Sequence, residues 1–340
     1  MSSVNQDGKR SSRFGASVVL TLFGVALAAV MVEAASRLVL DDGMQFDLEM
    51  WKYARDIKIS SDEPRIGHEH RPLTSGFYMG APVNINSAGY RDREYPLPKP
   101  AGGVRIMMLG DSLTFGWGVK VEDTFADQLE KLLNKGAAEG KFEVINTGVG
   151  NYNTSMEVTA FMRNGHKFNP DILILNYFIN DAEPTPARAK NSFTEYSYAA
   201  VMLWGAFDTV SRMYFGKADW KSYYSGLYAD TQPGWIQTKE AIAQLSDYCR
   251  QKGIKLMIVN LPELHELSSY PFENVNSKLA EVAGQLGVPF YELLPAVASE
   301  VPQSLWVSPT DAHPNAKADA IIAAKTAEAL GNYFPGLVTQ

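Results

Sequence analysis

Residues 104–113 read Val-Arg-Ile-Met-Met-Leu-Gly-Asp-Ser-Leu. The run from 104 to 109 is short, apolar and closed by a glycine, as a buried parallel strand would be. Residues 123–134 then carry apolar side chains at helical spacing. The alternation continues to the end of the chain. Strands are expected at 143–146, 172–178, 255–260 and 288–291, and helices at 154–165, 235–252, 272–287 and 315–330. Strands alternating with helices imply an α/β fold, a parallel sheet covered by helices on both faces. In such folds ligands bind beyond the carboxyl ends of the strands.

Ser112 follows the first of these strands by three positions, so its hydroxyl is expected at the carboxyl edge of the sheet. A serine hydroxyl attacks weakly until a base takes its proton, and a nearby helix start can offer N–H groups to a developing oxyanion. A serine in this position can equally cap a turn. The other strand ends supply further candidates. After the second comes Asn146-Thr147-Gly148-Val149-Gly150, where a glycine lets backbone N–H approach a substrate. Gly148 and Gly150 also suggest a dinucleotide fingerprint, but its third glycine is missing because position 153 is Asn153. After the third strand comes Asn180-Asp181, whose amide can donate to the same oxyanion.

Near the other end of the chain lies Asp311-Ala312-His313-Pro314-Asn315. An Asp and a His two residues apart on one loop can aim at a common point, the His as general base and the Asp as its orienter. The competing reading is that they cap the last helix or sit on the surface. Glu263 and His265 are weaker candidates for the pocket wall. No histidine pair or carboxylate cluster has ligand spacing, so neither a metal nor another cofactor is expected.

These four blocks make the chain resemble the SGNH hydrolases, or GDSL esterase/lipase family, over residues 104–335. The resemblance implies a three-layer α/β/α, flavodoxin-like fold with a five-stranded parallel sheet. It implies Ser112 as nucleophile, His313 as base and Asp311 as its partner, with the backbone at Ser112 and Gly148 and the Asn180 side chain forming an oxyanion hole. Two positions depart from the family pattern: Phe178 stands where a glycine is usual, and Asp311 and His313 are two apart instead of three. The shorter spacing resembles that of polysaccharide O-acetyltransferases with this fold, and it also occurs among plain esterases.

The remaining chain frames this domain. Lys9, Arg10 and Arg13 precede an uncharged stretch beginning at Phe14. Segment 14–36 is therefore expected to be a transmembrane anchor, with 1–13 cytoplasmic and the catalytic domain periplasmic or extracellular. A cleavable signal peptide is the rival, with Ala34 and Ala35 as small residues. Residues 41–103, rich in Gly and Pro, read as an N-terminal extension of short extended segments and turns that packs on the core. An insertion at 184–230 is dense in aromatics, among them Phe193, Tyr196, Trp204, Phe207 and Trp220. It reads as a helical subdomain that buries these rings, or as a lid or acceptor wall. Asp208 and Arg212 argue against a second span.

Composition sets the outer bounds. A net charge of -7 over 340 residues argues against nucleic-acid partners. The single cysteine, Cys249, excludes an internal disulfide and is expected half-buried in a helix. The expected activity is hydrolysis of acetyl or short acyl esters, with a small acyl ester or acylated carbohydrate as substrate. Acyl transfer to a sugar of an exported polysaccharide or cell-wall polymer is the alternative. A catalytically silent glycan-binding or assembly protein is the reading from another class.

Overall fold

A computed structural model describes residues 4–137, 140–185, 196–215 and 219–338. Five parallel strands form the central sheet: β5 (Val104–Leu109), β6 (Phe142–Asn146), β7 (Ile172–Tyr177), β8 (Lys255–Asn260) and β9 (Phe290–Glu292). Their spatial order is β6-β5-β7-β8-β9, and every neighbouring pair is parallel. Before them lie α1 (Val4–Ala35), α2 (Phe46–Asp56) and the hairpins β1/β2 (Lys58–Ser60, His68–His70) and β3/β4 (Ser75–Tyr78, Ala81–Asn84).

Two-residue periodicity splits β5 between the two halves of the core. Ile106 and Met108 face α4 (Phe125–Asn134) and α11 (Ala316–Tyr333), packing with Phe125, Leu129 and Ile322. Met107 and Leu109 face α5 (Thr154–Arg163), α8 (Pro233–Lys252) and α9 (Glu273–Leu286), packing with Phe161, Ile242 and Leu279. The result is the expected three-layer sandwich. Thr124 caps α4 and Asn153 caps α5 through side-chain oxygens, while Gly253 and Gly287 end α8 and α9 in the left-handed conformation.

Several boundaries differ from expectation. The third strand stops at Tyr177, the last strand begins at Phe290, and α5 ends at Arg163 before a 3-10 turn over Gly165–Phe168. Cys249 is fully buried, because α8 turns that face onto the sheet. The apolar N-terminal helix runs on to Leu40 instead of ending at 36. Arg105, inside the apolar run, is also buried. It pairs with Glu143 at 2.7 Å and donates to the carbonyls of Pro96, Leu97 and Phe168.

The extension contains a helix that its Gly and Pro content concealed. In α2, Phe46, Met50 and Tyr53, with Ile57 just beyond its end, recur at helical spacing and pack with Tyr78, Val83, Phe115 and Trp117. Two helices of the insertion are seen, α6 (Tyr198–Phe215) and α7 (Trp220–Leu227). They do not bury all their rings. Tyr196, Trp204, Phe207, Trp220 and Tyr223 are exposed, because α6 lies against α2 and α1 instead of folding over itself. Phe193 lies outside the described residues, as do the side chains of Lys9, Arg10 and Arg13.

The extension is tied to the sheet by a buried polar chain. His70 donates from Nδ1 to the Gly89 carbonyl at 2.9 Å and accepts at Nε2 from the Tyr53 hydroxyl at 2.6 Å. The Tyr53 oxygen in turn accepts from the Gly150 N–H at 3.2 Å. Burial lowers the pKa of His70 to about 3 and that of His68 to about 4, so both rings are neutral near pH 7. Below pH about 6.5 the unfolded chain takes up protons that these buried rings refuse, and stability is lost as pH falls toward their folded values. Urea unfolding between pH 6.5 and 4 is therefore expected to show a loss on the order of a few kcal/mol from these two sites. The slope should flatten in His70→Gln, and an unchanged slope in that variant would contradict the assignment.

Candidate active site

The turn after β5 is built by steric exclusion. A Cβ on Gly110 would lie 1.9 Å from the Thr114 hydroxyl, and one on Gly148 would lie 2.3 Å from the Phe115 nitrogen. Glycine at 148 thus lets the loop after β6 press on the short helix α3 (Ser112–Phe115). Close approach of backbone to backbone is by itself enough to require it. Asp111 is the cap of α3, accepting from the Leu113 N–H at 2.9 Å. The capping role is therefore taken, and the Ser112 hydroxyl is left for another partner.

That partner is His313, whose Nε2 lies 2.9 Å from Ser112 Oγ. His313 and Asp311 stand on a strand, not a loop: β11 (Asp311–Pro314) pairs with β10 (Trp306–Ser308) in an antiparallel hairpin. Residues two apart on a strand share a face, which accounts for the two-residue spacing. Asn315 caps α11 by accepting from the Lys317 and Ala318 N–H groups, so neither Asp311 nor His313 is spent on that helix. His313 Nδ1 lies 2.6 Å from Asp311 Oδ1. A carboxylate can accept but not donate, so Nδ1 carries the proton and Nε2 is free to accept from the serine hydroxyl.

Asp311 is held from two further sides. Its Oδ1 also accepts from the His313 backbone N–H at 3.1 Å, and its Oδ2 from the indole N–H of Trp117 at 3.0 Å. Burial alone would raise this carboxyl, but the bonds from His313 and Trp117 outweigh it and hold the pKa below its ordinary value. The imidazole is flanked by two rings: Phe46 at 5.8 Å between centroids and Trp117 at 6.4 Å. Sequence reasoning missed both. Trp117 sits in a Gly-rich turn with no periodicity, and Phe46 reaches the site from an extension read as peripheral.

Asn180 and Gly148 make bonds of their own. Asn180 Nδ2 donates to Asp111 Oδ2 at 3.2 Å, and its amide carries a second hydrogen. The Gly148 N–H donates to Asn146 Oδ1 at 2.9 Å. Ser112 opens α3, so its own N–H has no partner within the helix. A cleft of about 320 Å³ beside Asn180 is lined by Asn151, Tyr152, Asn153, Asn180, Glu183 and Pro184. A larger cavity of about 470 Å³, walled by Tyr90, Tyr95, Val149 and Phe161 among others, includes none of Ser112, Asn180, Asp311 or His313. Neither lining includes Ser112, Asp311 or His313, and the smaller cleft meets the site only through Asn180. Glu263 and His265 pair with each other, and the His265 ring packs at a tilt against Trp306 and Trp220.

Behind Asn180 three carboxyls are buried. Burial, then the charges of Asp181 and Asp111, push Glu157 well above its usual range; burial and Asp111 do the same to Asp181. Asp111 is raised by burial in spite of bonds from Leu113 and Asn180. Among the described residues no group of three or more His, Cys, Asp or Glu is placed to hold a metal ion.

The steric argument at Gly148 makes a direct prediction. Gly148→Ala is expected to cost about 1–3 kcal/mol or more, because the new methyl must displace the α3 backbone. Chemical denaturation would measure it, and a variant as stable as wild type would refute the close approach.

The model of the GDSL-like lipase/acylhydrolase family matches residues 108–321, more than half of the chain. No curated protein matches in sequence. Among solved structures the chain is similar to a lipolytic protein of the G-D-S-L family from Desulfitobacterium hafniense, described as putative, with 12% identity, 67% of this chain and 100% of that chain covered, and TM-score 0.43. It is also similar to an acetyl xylan esterase, with 13% identity, 67% and 100% covered, and TM-score 0.42. A third similar structure is an alpha/beta hydrolase enzyme from the metagenome of Lake Arreo, Spain, with 12% identity, 67% and 95% covered, and TM-score 0.45. By the family match, the chain belongs to the GDSL-like lipase/acylhydrolase family.

Proposed function

We propose that this protein is a membrane-anchored serine esterase that removes acetyl or short acyl groups through an acyl-Ser112 intermediate. The observation that carries the reading is the unbroken hydrogen-bond line from Ser112 Oγ to His313 Nε2 and from His313 Nδ1 to Asp311 Oδ1. Attack of Oγ on the ester carbonyl forms the new C–O bond as the hydroxyl proton passes to Nε2. Asp311 stabilises the imidazolium. Collapse of the tetrahedral species breaks the ester C–O bond, and Nε2 returns the proton to the leaving alcohol. Water repeats the sequence to release the acid and restore Ser112.

The oxyanion donors in this reading are the N–H groups of Ser112 and Gly148 and the Asn180 amide. The Gly148 N–H would have to exchange Asn146 Oδ1 for the substrate oxygen. The Asn180 amide can keep Asp111 with one hydrogen and offer the other. The cleft beside Asn180 presents Asn151, Asn153 and Glu183, which suits a hydroxyl-rich substrate such as an acylated sugar. A sugar hydroxyl in place of the deacylating water would make the same residues an O-acyltransferase.

The anchor is the helix Phe14–Leu40, 27 residues long and with none of its most apolar window buried against the protein. The basic residues Lys9, Arg10 and Arg13 support a cytoplasmic N-terminus, with the esterase domain on the periplasmic or extracellular side. Residues 41–103 then form the extension and 104–335 the hydrolase domain carrying the 184–230 insertion. The partners in this reading are the membrane and the ester substrate.

Ser112→Ala is expected to lower hydrolysis of a chromogenic acetyl ester by about 10³-fold or more and to abolish labelling by a serine-reactive phosphonate. An intact wild-type protein that neither labels nor hydrolyses would favour a silent binding protein. Acetylated oligosaccharides supplied with free oligosaccharide acceptors distinguish released acetate from a transferred acetyl group. Trp117→Phe, which removes one donor from Asp311, is expected to lower kcat about 10-fold while leaving KM near its original value. Unchanged kcat in that variant would remove Trp117 from the machinery.

A further inference from the structure

The apolar helix α6 has no explanation in the ester chemistry. Its first ten residues, Tyr198–Phe207, contain no charged side chain. One face of that stretch is open: Leu203, Trp204 and Phe207 are 65%, 66% and 63% exposed. These positions, one and four residues apart, lie together on a helix, so the open rings form a single apolar stripe. A helix facing water carries charge there.

The opposite side of α6 is held firmly. Glu33, near the end of the apolar N-terminal helix, caps its start: one carboxylate oxygen accepts from Ser197 Oγ at 2.8 Å and from the Ala199 N–H at 3.0 Å, and the other from the Tyr198 N–H at 3.2 Å. Arg37 donates to the Tyr196 carbonyl at 2.9 Å and lies 4.4 Å above the Tyr198 ring. Trp51 of α2 meets that ring edge-on at 5.1 Å. The beginning of α6 is thus fixed at the level of Glu33. Counting from Phe14 at 1.5 Å per residue, Glu33 lies about 29 Å along the helix, close to the thickness of a hydrocarbon core. With the anchor entering the bilayer at Phe14, Glu33 and Arg37 fall at the level of the second membrane–water boundary, and α6 starts beside them.

We propose that α6 is a second membrane contact, an in-plane helix that seats Leu203, Trp204 and Phe207 in the outer interface of the bilayer that α1 spans. Its apolar stretch is too short to cross a membrane, and its Trp and Phe are residue types that settle at that depth. The occupant of the stripe is a lipid surface because Glu33 and Arg37 tie the helix to the spanning segment at boundary level. This inference rests on the anchor reading above. It adds that the domain docks on the membrane in a fixed orientation instead of swinging on a tether.

The test uses the full chain with Cys249→Ser, reconstituted in vesicles of phosphatidylethanolamine and phosphatidylglycerol. Leu22→Cys, Leu203→Cys, Phe207→Cys or Glu240→Cys is introduced singly and spin-labelled. Each label's collisions with dissolved oxygen and with a water-soluble nickel chelate report its depth, and hydrolysis of a soluble ester confirms that each variant is folded. Labels at 203 and 207 are expected to favour oxygen over nickel several-fold more than the label at 240, at a depth shallower than 22. If 22 is in lipid while 203 and 207 match 240, the in-plane helix is refuted and the anchor stands. If 22 also reads as water, the anchor reading falls and takes this one with it. Protection of 203 and 207 from both reagents, persisting in detergent, would identify a protein partner or second copy and overturn the lipid assignment.

Discussion

A single hydrogen bond, Ser112 Oγ to His313 Nε2, joins residues 201 positions apart and constrains much of what surrounds it. Such a bond needs two segments delivered to one place: the parallel sheet brings the first to the edge where its strands end, and a separate hairpin brings the second. The serine comes from the end of β5, at the centre of the core. The histidine comes from β11, a short hairpin strand before α11 that is fixed by the Asn315 cap and by its pairing with β10. Rigid elements on both sides hold the distance, and the loops add little slack.

The extension completes the frame. Tyr53 links His70 to the Gly150 N–H, fixing the loop that contains Gly148. Arg91, buried and lowered to about 10 chiefly by its burial, donates to the carbonyls of Phe115 and Val119, on either side of Trp117. Trp117 then reaches Asp311. A cation buried this way is justified by the carbonyls it satisfies, since leaving them or it unpaired would be costly. The extension is therefore part of the site's second layer of contacts, although it lies outside the α/β repeat.

The sheet and its helices were legible because burial on both faces makes β5, β7 and β8 short, nearly continuous apolar runs, while burial on one face gives α4 and α8 a helical period. That Ser112, Asp311 and His313 lie together was an expectation from the four blocks and the resemblance they carry, not from strand order, since β11 lies outside the five-stranded sheet. Other features depend on tertiary contacts that have no local signature. Arg105 looks like an interruption until Glu143 and three carbonyls surround it. Trp117 acquires its role from one bond to a residue 194 positions away. The helix α2 did leave a signal, with Phe46, Met50, Tyr53 and Ile57 at helical spacing, but Gly and Pro around it suggested turns. The open stripe of α6 ran against the rule that aromatic insertions bury their rings.

The contact between Phe46 and His313 fixes a length scale for the protein's work. From Leu40, where the apolar helix ends, to Phe46 is six residues, and six residues can extend no more than about 20 Å. With that helix in a bilayer, as proposed, His313 is leashed to the membrane plane. A substrate dissolved in bulk must find the enzyme in three dimensions, while one carried by the membrane or a polymer lying on it searches in two. Confinement of that kind raises the local concentration of a bound substrate without any further affinity, so weak contacts around Ser112 would suffice.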